Sequence, residues 1–289
     1  MAFMRLNEIL ADCRSGGWAV PAFDVINMET IQAALEGATA ERAPVILMVL
    51  PSHTPLRQWP GMAALIQAEA ERSGVPVCLH LDHASNLEQV RAALALGFPS
   101  VMIDGSTLPL AENIALTRQA VEEAHARGIS VEAELGHVGG GDEEPDEEPD
   151  EAEAASRLTP VEEAGRFVSE THVDALAVAI GTVHGLYRGK PKLDFERLAA
   201  LRQVVPVPLV LHGGSGTPDE DVQRAIAGGI CKVNIWTEVA LAFAGTLKEQ
   251  LANPAEHYRL HEALASAQAS AREVVQQKIR LLGAAGRVR

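Results

Sequence analysis

Eight short runs rich in β-branched and other apolar residues recur along the chain, at 19–23, 45–50, 77–81, 100–103, 130–134, 175–180, 208–211 and 231–235. Between them lie longer stretches with apolar residues at helical spacing, such as NMETIQAALEGATAER (27–42), NLEQVRAALALG (86–97) and NIALTRQAVEEAHARG (113–128). Strands joined by helices run parallel, and a parallel sheet must be covered on both faces. Eight such units in 289 residues predict an α/β fold, a (β/α)8 TIM barrel forming one domain over 1–289. From Glu238 onward the helical pattern outruns the length of one barrel helix. Extra C-terminal helices are therefore expected, covering the barrel or packing on a neighbouring subunit.

Charge and cysteine usage narrow the function classes. The net charge of −15 is concentrated in DEEPDEEPDEAE (142–153), which holds nine carboxylates and no base. Without it 24 basic side chains stand against 30 acidic ones, a balance of −6. The EEPD repeat repels itself and has little to bury, so a mobile acidic loop is expected over about 139–158. No basic stripe with interleaved aromatics suggests a nucleic-acid surface, and no run is apolar and long enough to span a bilayer. Cys13, Cys78 and Cys231 are widely spaced and odd in number, against a disulfide framework or a cysteine zinc site. A reducing, cytoplasmic setting is expected.

In a TIM barrel the chemistry sits at the carboxyl ends of the strands. There the sequence places Asp82 and His83, Asp104, Glu132 and Glu134, His184, His212 and Asn234, on the third to eighth strands in turn. Three histidines on separate strands, beside carboxylates, are the donor set of a catalytic zinc with one open position. Asp104 and Glu134 are candidates to support those histidines or to hold a second ion. His80, three positions before His83, is expected to point to the opposite face of its strand. His137, near the acidic segment, is a weaker supporting candidate. Gly185 after His184, HGGSG (212–216) after His212, and Asn234 and Thr237 at the eighth strand end supply glycine turns, exposed N–H groups and a hydroxyl. Those are the parts of a phosphate cradle, to which Arg188 adds a cation. A phosphorylated small molecule is the expected ligand.

The segments LHLDH, SVMIDGS, VEAELG, LAVAIGTVHGLYRGKPKLDFERL, PLVLHGGSG and ICKVN, in this order, resemble the class II, zinc-dependent ketose-bisphosphate aldolases, the family of fructose- and tagatose-bisphosphate aldolases. The resemblance runs from PAF (21–23) to VVQQKIR (274–280). It implies a homodimeric or homotetrameric TIM barrel that cleaves a ketose 1,6-bisphosphate to dihydroxyacetone phosphate and an aldehyde. His83, His184 and His212 would hold Zn2+, and Asp82 would exchange the C4 hydroxyl proton. Gly185, Gly213, Ser215, Asn234 and Thr237 would hold the dihydroxyacetone-phosphate end, near which a monovalent cation (Na+ or K+) often sits in the family. A glutamate on the loop after VEAELG moves the C3 proton in relatives; Asp142 matches its place, with Glu143 as the neighbouring alternative. Arg259 matches an arginine that reaches the distal phosphate, often across a subunit interface.

Departures from the family begin at the loop base, where Asp142 replaces glutamate, and continue on the aldehyde side and at the phosphate-side cation. Asp24 stands where asparagine is usual, Leu50 where serine or threonine is usual, and Arg188 where lysine is usual. After KVN, fructose-specific members resemble NID and tagatose-specific ones NVA; here it is NIW, so Trp236 adds an indole to the pocket wall. Fructose 1,6-bisphosphate is the leading substrate, with tagatose 1,6-bisphosphate next. Another phosphorylated ketose, a metal-dependent isomerase or epimerase, and a non-catalytic phosphosugar-binding protein stay open as alternatives.

Overall fold

The computed structural model describes residues 3–140, 157–185 and 191–288. Eight parallel strands close into a barrel in sequence order, β1 pairing with both β2 and β8. They are β1 (Val20–Asp24), β2 (Val45–Val49), β3 (Val77–Ala84), β4 (Ser100–Ile103), β5 (Ser130–Leu135), β6 (Ala175–Val178), β7 (Leu209–Leu211) and β8 (Ile230–Ile235). Two short helices, α1 (Leu6–Ile9) and α2 (Cys13–Gly16), precede β1. Helices α3 (Met28–Ala40), α4 (Trp59–Ser73), α5 (Leu87–Ala95), α6 (Leu110–His125), α7 (Val161–Thr171), α8 (Phe195–Val204), α9 (Asp219–Ala227) and α10 (Thr237–Gln250) follow the eight strands in turn. A last helix, α11 (Leu260–Leu281), comes after them. This is the predicted TIM barrel with additional C-terminal helix.

Local chemistry sets several helix starts. Asn27 Oδ1 accepts from Thr30 N at 2.9 Å, Asn86 Oδ1 from Gln89 N at 3.1 Å, and Asp194 Oδ1 from Arg197 N at 2.9 Å, each satisfying an N–H that the first turn would leave open. The N-terminal helices, unforeseen in the sequence, seat Leu6, Ile9, Leu10 and Cys13 in the core, and Met4 N donates to Val77 O at 2.9 Å.

The extra helix covers the barrel of this chain. Ala263, Ala267, Ala271, Val275 and Ile279 form a buried stripe at four-residue spacing on α11. It packs against α3 so closely that a Cβ on Gly37 would stand 2.5 Å from Val275 Cγ1. The following segment is pinned beside the barrel start: Ala19 N donates to Leu282 O at 3.0 Å, Gly286 N to Glu41 O at 2.8 Å and Val288 N to Arg42 O at 2.9 Å.

Most strands lie within one residue of the expected limits; two depart further, for visible reasons. β6 stops at Val178 because the next residue leaves the ladder: Ala179 N donates to Thr159 Oγ1 at 2.8 Å, and Thr159 N to Ala179 O at 3.0 Å. β3 runs on to Ala84, with a register shift against β4 between Leu81 and Ala84. That irregularity lies in the candidate site.

Candidate metal and substrate site

Strict alternation along β3 would send Asp82 and His83 to opposite faces. Instead His83 has φ +43°, a left-handed conformation costly for a residue with a Cβ, which turns its ring toward the side that Asp82 faces. His83 Nε2 lies 3.9 Å from Asp82 Oδ2. The expectation that His80 and His83 point apart fails for the same reason: His80 Nε2 is 3.8 Å from Asp82 Oδ1 and 3.7 Å from Glu132 Oε2, inside the barrel.

His83 of β3, His184 after β6 and His212 after β7 converge, with one ring nitrogen of each within 4.8 Å of the others. His83 Nδ1 donates to Asp104 Oδ2 at 2.7 Å, His184 Nδ1 to Val138 O at 3.1 Å, and His212 Nε2 to Glu132 Oε1 at 2.9 Å. Each ring is thus fixed through one nitrogen, the arrangement that orients a ligating histidine through its other nitrogen. Zinc bonds of about 2.0–2.1 Å place ligand nitrogens a little over 3 Å apart, so small rotations of these rings suffice, and the donor set fits such an ion.

Behind the histidines lies a buried polar layer. Lys232 Nζ reaches Glu132 Oε2 at 2.9 Å and Oε1 at 3.1 Å, with both side chains fully enclosed. Glu132 thereby ties β5 and β8 to His212. His80 Nδ1 meets Ser100 Oγ at 2.7 Å, and Asp104 Oδ1 accepts from Ser106 N at 2.9 Å. His137 Nδ1 meets Ser106 Oγ at 3.0 Å, and Glu134 Oε1 accepts from Val138 N at 2.9 Å. Asp104 and Glu134 also gather around His83. Lys232 falls outside the sequence expectations, although a lysine inside the apolar run ICKVNI is itself a signal.

Charges in this enclosed space are strongly coupled. Burial opposes charge on His83, yet Asp82, Asp104 and Glu134 together push it up to about 10. Burial, followed by the His83 charge, lowers His184 to about 4 and His212 well below the ordinary imidazole range. His212 Nδ1 lies 2.8 Å from His83 Nε2, so the charged His83 ring donates to the neutral His212 ring, one proton joining two nitrogens. Burial and then the Asp104 charge raise Glu134 to about 8. Asp24, at the end of β1, is raised well above the carboxylate range by burial and then by Asp82, and its Oδ1 has no hydrogen-bond partner among the described residues.

Some of the remaining predicted residues adjoin this centre. Asn234 Nδ2 donates to both oxygens of Asp82, at 3.2 and 3.3 Å. Gly213 has φ +66°, and a Cβ there would stand 2.4 Å from Val183 O, so only glycine lets the loops after β6 and β7 meet. Gly185 also has positive φ, +83°. Ser215 Oγ accepts from Trp236 N at 3.2 Å, and Thr237 opens α10. Trp236 lies against His53, ring centroids 5.0 Å apart, on the side of the barrel where Asp24 ends β1 and the partly buried Leu50 follows β2. His53 had not been anticipated. Arg259 is half exposed and pairs with Glu262 Oε2 at 3.2 Å. Arg188, Asp142, Glu143 and most of the acidic segment lie outside the described residues.

A TIM barrel with a three-histidine, metal-competent centre at the carboxyl ends of its strands is the class that fold and site define. The family profile for class II fructose-bisphosphate aldolases matches residues 4–287, and the chain belongs to this family. It is a lyase of the aldol-cleaving type. Among solved structures, the YdjI aldolase from Escherichia coli K12 is similar at 32% identity and TM-score 0.85, with 100% of both chains covered. A putative fructose-1,6-bisphosphate aldolase from Coccidioides immitis is also 32% identical, with TM-score 0.85 and 98% of each chain covered. The fructose-bisphosphate aldolase (Fba) from Campylobacter jejuni is 25% identical, with TM-score 0.82 over 97% of this chain and 94% of that one. No helix among the described residues is long and apolar enough to cross a membrane.

Proposed function

We propose that the chain reversibly cleaves a ketose 1,6-bisphosphate to dihydroxyacetone phosphate and an aldehyde, with fructose 1,6-bisphosphate as first substrate and tagatose 1,6-bisphosphate as second. The observation that carries this proposal is the meeting of His83, His184 and His212 within 4.8 Å, beside Asp82. Those three histidines would hold one divalent ion, zinc by donor type. When bound, the ion supplies Lewis-acid stabilisation of the charge left beside the C2 carbonyl as the C3–C4 bond breaks.

The protein's own groups do the rest. Asp82 takes the C4 hydroxyl proton in cleavage and returns it in condensation, its carboxylate held by Asn234 Nδ2. Asp142, or Glu143 beside it, exchanges the proton at C3. N–H groups at Gly185 and Gly213, the hydroxyls of Ser215 and Thr237, the Asn234 amide and Arg188 hold the dihydroxyacetone-phosphate end, with Na+ or K+ beside the phosphate. Asp24, Leu50 and Trp236 shape the aldehyde end, while Arg259 meets the distal phosphate in a homodimer or homotetramer working in the cytoplasm.

The test is a coupled assay for dihydroxyacetone phosphate released from each sugar, before and after chelation and again after zinc is restored. Release that chelator abolishes and zinc recovers is expected. Zinc-loaded protein that is silent on both sugars would remove the substrate assignment.

A further inference from the structure

The HGGSG loop carries a support that the catalytic reading does not use. Glu238, in the first turn of α10, accepts from Gly216 N through Oε1 at 3.2 Å, and its own N–H donates to Ser215 Oγ at 3.4 Å. Trp236 N donates to the same hydroxyl oxygen at 3.2 Å. Two N–H donors occupy both lone pairs of Ser215 Oγ, so the hydroxyl can act only as a donor to a third group, as an anion requires. Gly214 N donates to Asn234 O at 3.0 Å, and the Thr217 hydroxyl to Gly213 O at 3.1 Å, closing the loop on itself and on β8.

A carboxylate so near an anion site works against binding unless its charge is cancelled. Lys278, three residues before the end of α11, does so: its Nζ lies 2.5 Å from Glu238 Oε2, and its side chain is only 10% exposed. The last helix therefore reaches the mouth of the barrel through one ion pair.

We infer that Glu238 and Lys278 are positioning residues for the substrate phosphate, Glu238 fixing the 213–217 loop and Lys278 neutralising Glu238. The inference rests on the phosphate role proposed above for that loop. Inorganic phosphate is the probe, titrated calorimetrically into zinc-loaded parent protein, Lys278→Met, Glu238→Gln and the double variant, with zinc content and circular dichroism checked for each.

Lys278→Met leaves the carboxylate uncompensated and should weaken phosphate binding by about tenfold, a modest effect for one charge near a partly solvated site. It should raise KM for the phosphorylated substrate with little change in kcat. Glu238→Gln keeps the acceptor for Gly216 and frees the lysine charge, so phosphate should bind more tightly than in the parent. The double variant should recover most of the loss. Equal affinity in parent and Lys278→Met overturns the inference, as does an undiminished loss in the double variant. If Lys278→Met fails to fold, weaker binding in Glu238→Gln overturns it instead. A parent protein that does not bind phosphate overturns the role of the loop itself, an outcome separate from any difference among variants.

Discussion

His83 Nδ1 and Asp104 Oδ2 stand 2.7 Å apart, and the left-handed backbone of His83 makes that contact and a turn toward Asp82 possible together. Asp104→Asn keeps the shape but loses the charge that fixes the imidazole. Zinc affinity, measured by competition with a chromophoric chelator, should fall by about 10–100-fold. Unchanged affinity would mean that the backbone alone orients His83.

Asp82 and His212 should separate by what they retain. Asp82→Ala is expected to retain added zinc and lose kcat by about 10²–10⁴, the range of a general base. His212→Ala should lose metal and turnover together. Substantial cleavage by Asp82→Ala would move the proton transfer to another group.

A divalent ion bound through His83 Nε2 and His212 Nδ1 must replace the proton that joins them. With His83 raised to about 10, zinc uptake near pH 7 should release about one proton, and affinity should rise with pH. Calorimetry in buffers of different ionisation enthalpy measures this, and release near zero would refute it. The same shift sets a stability trend without metal. A raised histidine stabilises the fold fully below its unfolded value of 6.5, and that share is lost as pH climbs toward about 10.

Lys232 and Glu132 are fully enclosed, and neither can be solvated if the other is removed. Lys232→Met should cost about 3–5 kcal/mol in denaturant unfolding, the usual penalty for a buried charge left alone. A loss below about 1 kcal/mol would indicate that the His212 contact at 2.9 Å suffices to hold Glu132 without the lysine.

Burial and the Asp82 charge raise Asp24 well above its ordinary value of 3.8, so its contribution to stability declines as pH rises above that value. Asp24→Asn removes that titration. Its melting temperature should match the parent's in acid and exceed it increasingly toward neutrality. A constant offset across pH would show that Asp24 is ionised in the fold.

Much of the barrel is legible in the chain because each strand and helix carries its own periodicity, as in VILMV before a helical stretch or NLEQVRAALALG after LHLDH. The three histidines were legible too, since strand ends share one face of a parallel barrel. What escaped depends on geometry that no local pattern records. The inward turn of His83 comes from a register irregularity, which alternation alone denies. Lys232 and Glu132 are 100 positions apart and become partners only when the barrel closes. Glu238 and Lys278 sit on different helices, and each alone reads as an ordinary helix-surface charge.

The stripe from Ala263 to Ile279 has a consequence for how the molecule is made. It leaves the ribosome after all eight strands, yet it covers α3, which follows the first of them, and Lys278 within it pairs with Glu238, which holds the loop after the seventh. The nascent barrel must therefore wait with an apolar flank bare and one rim unbraced. A translation arrest between Gln250 and Leu260 should produce a chain that chaperones hold and proteases cut, even with every barrel strand present.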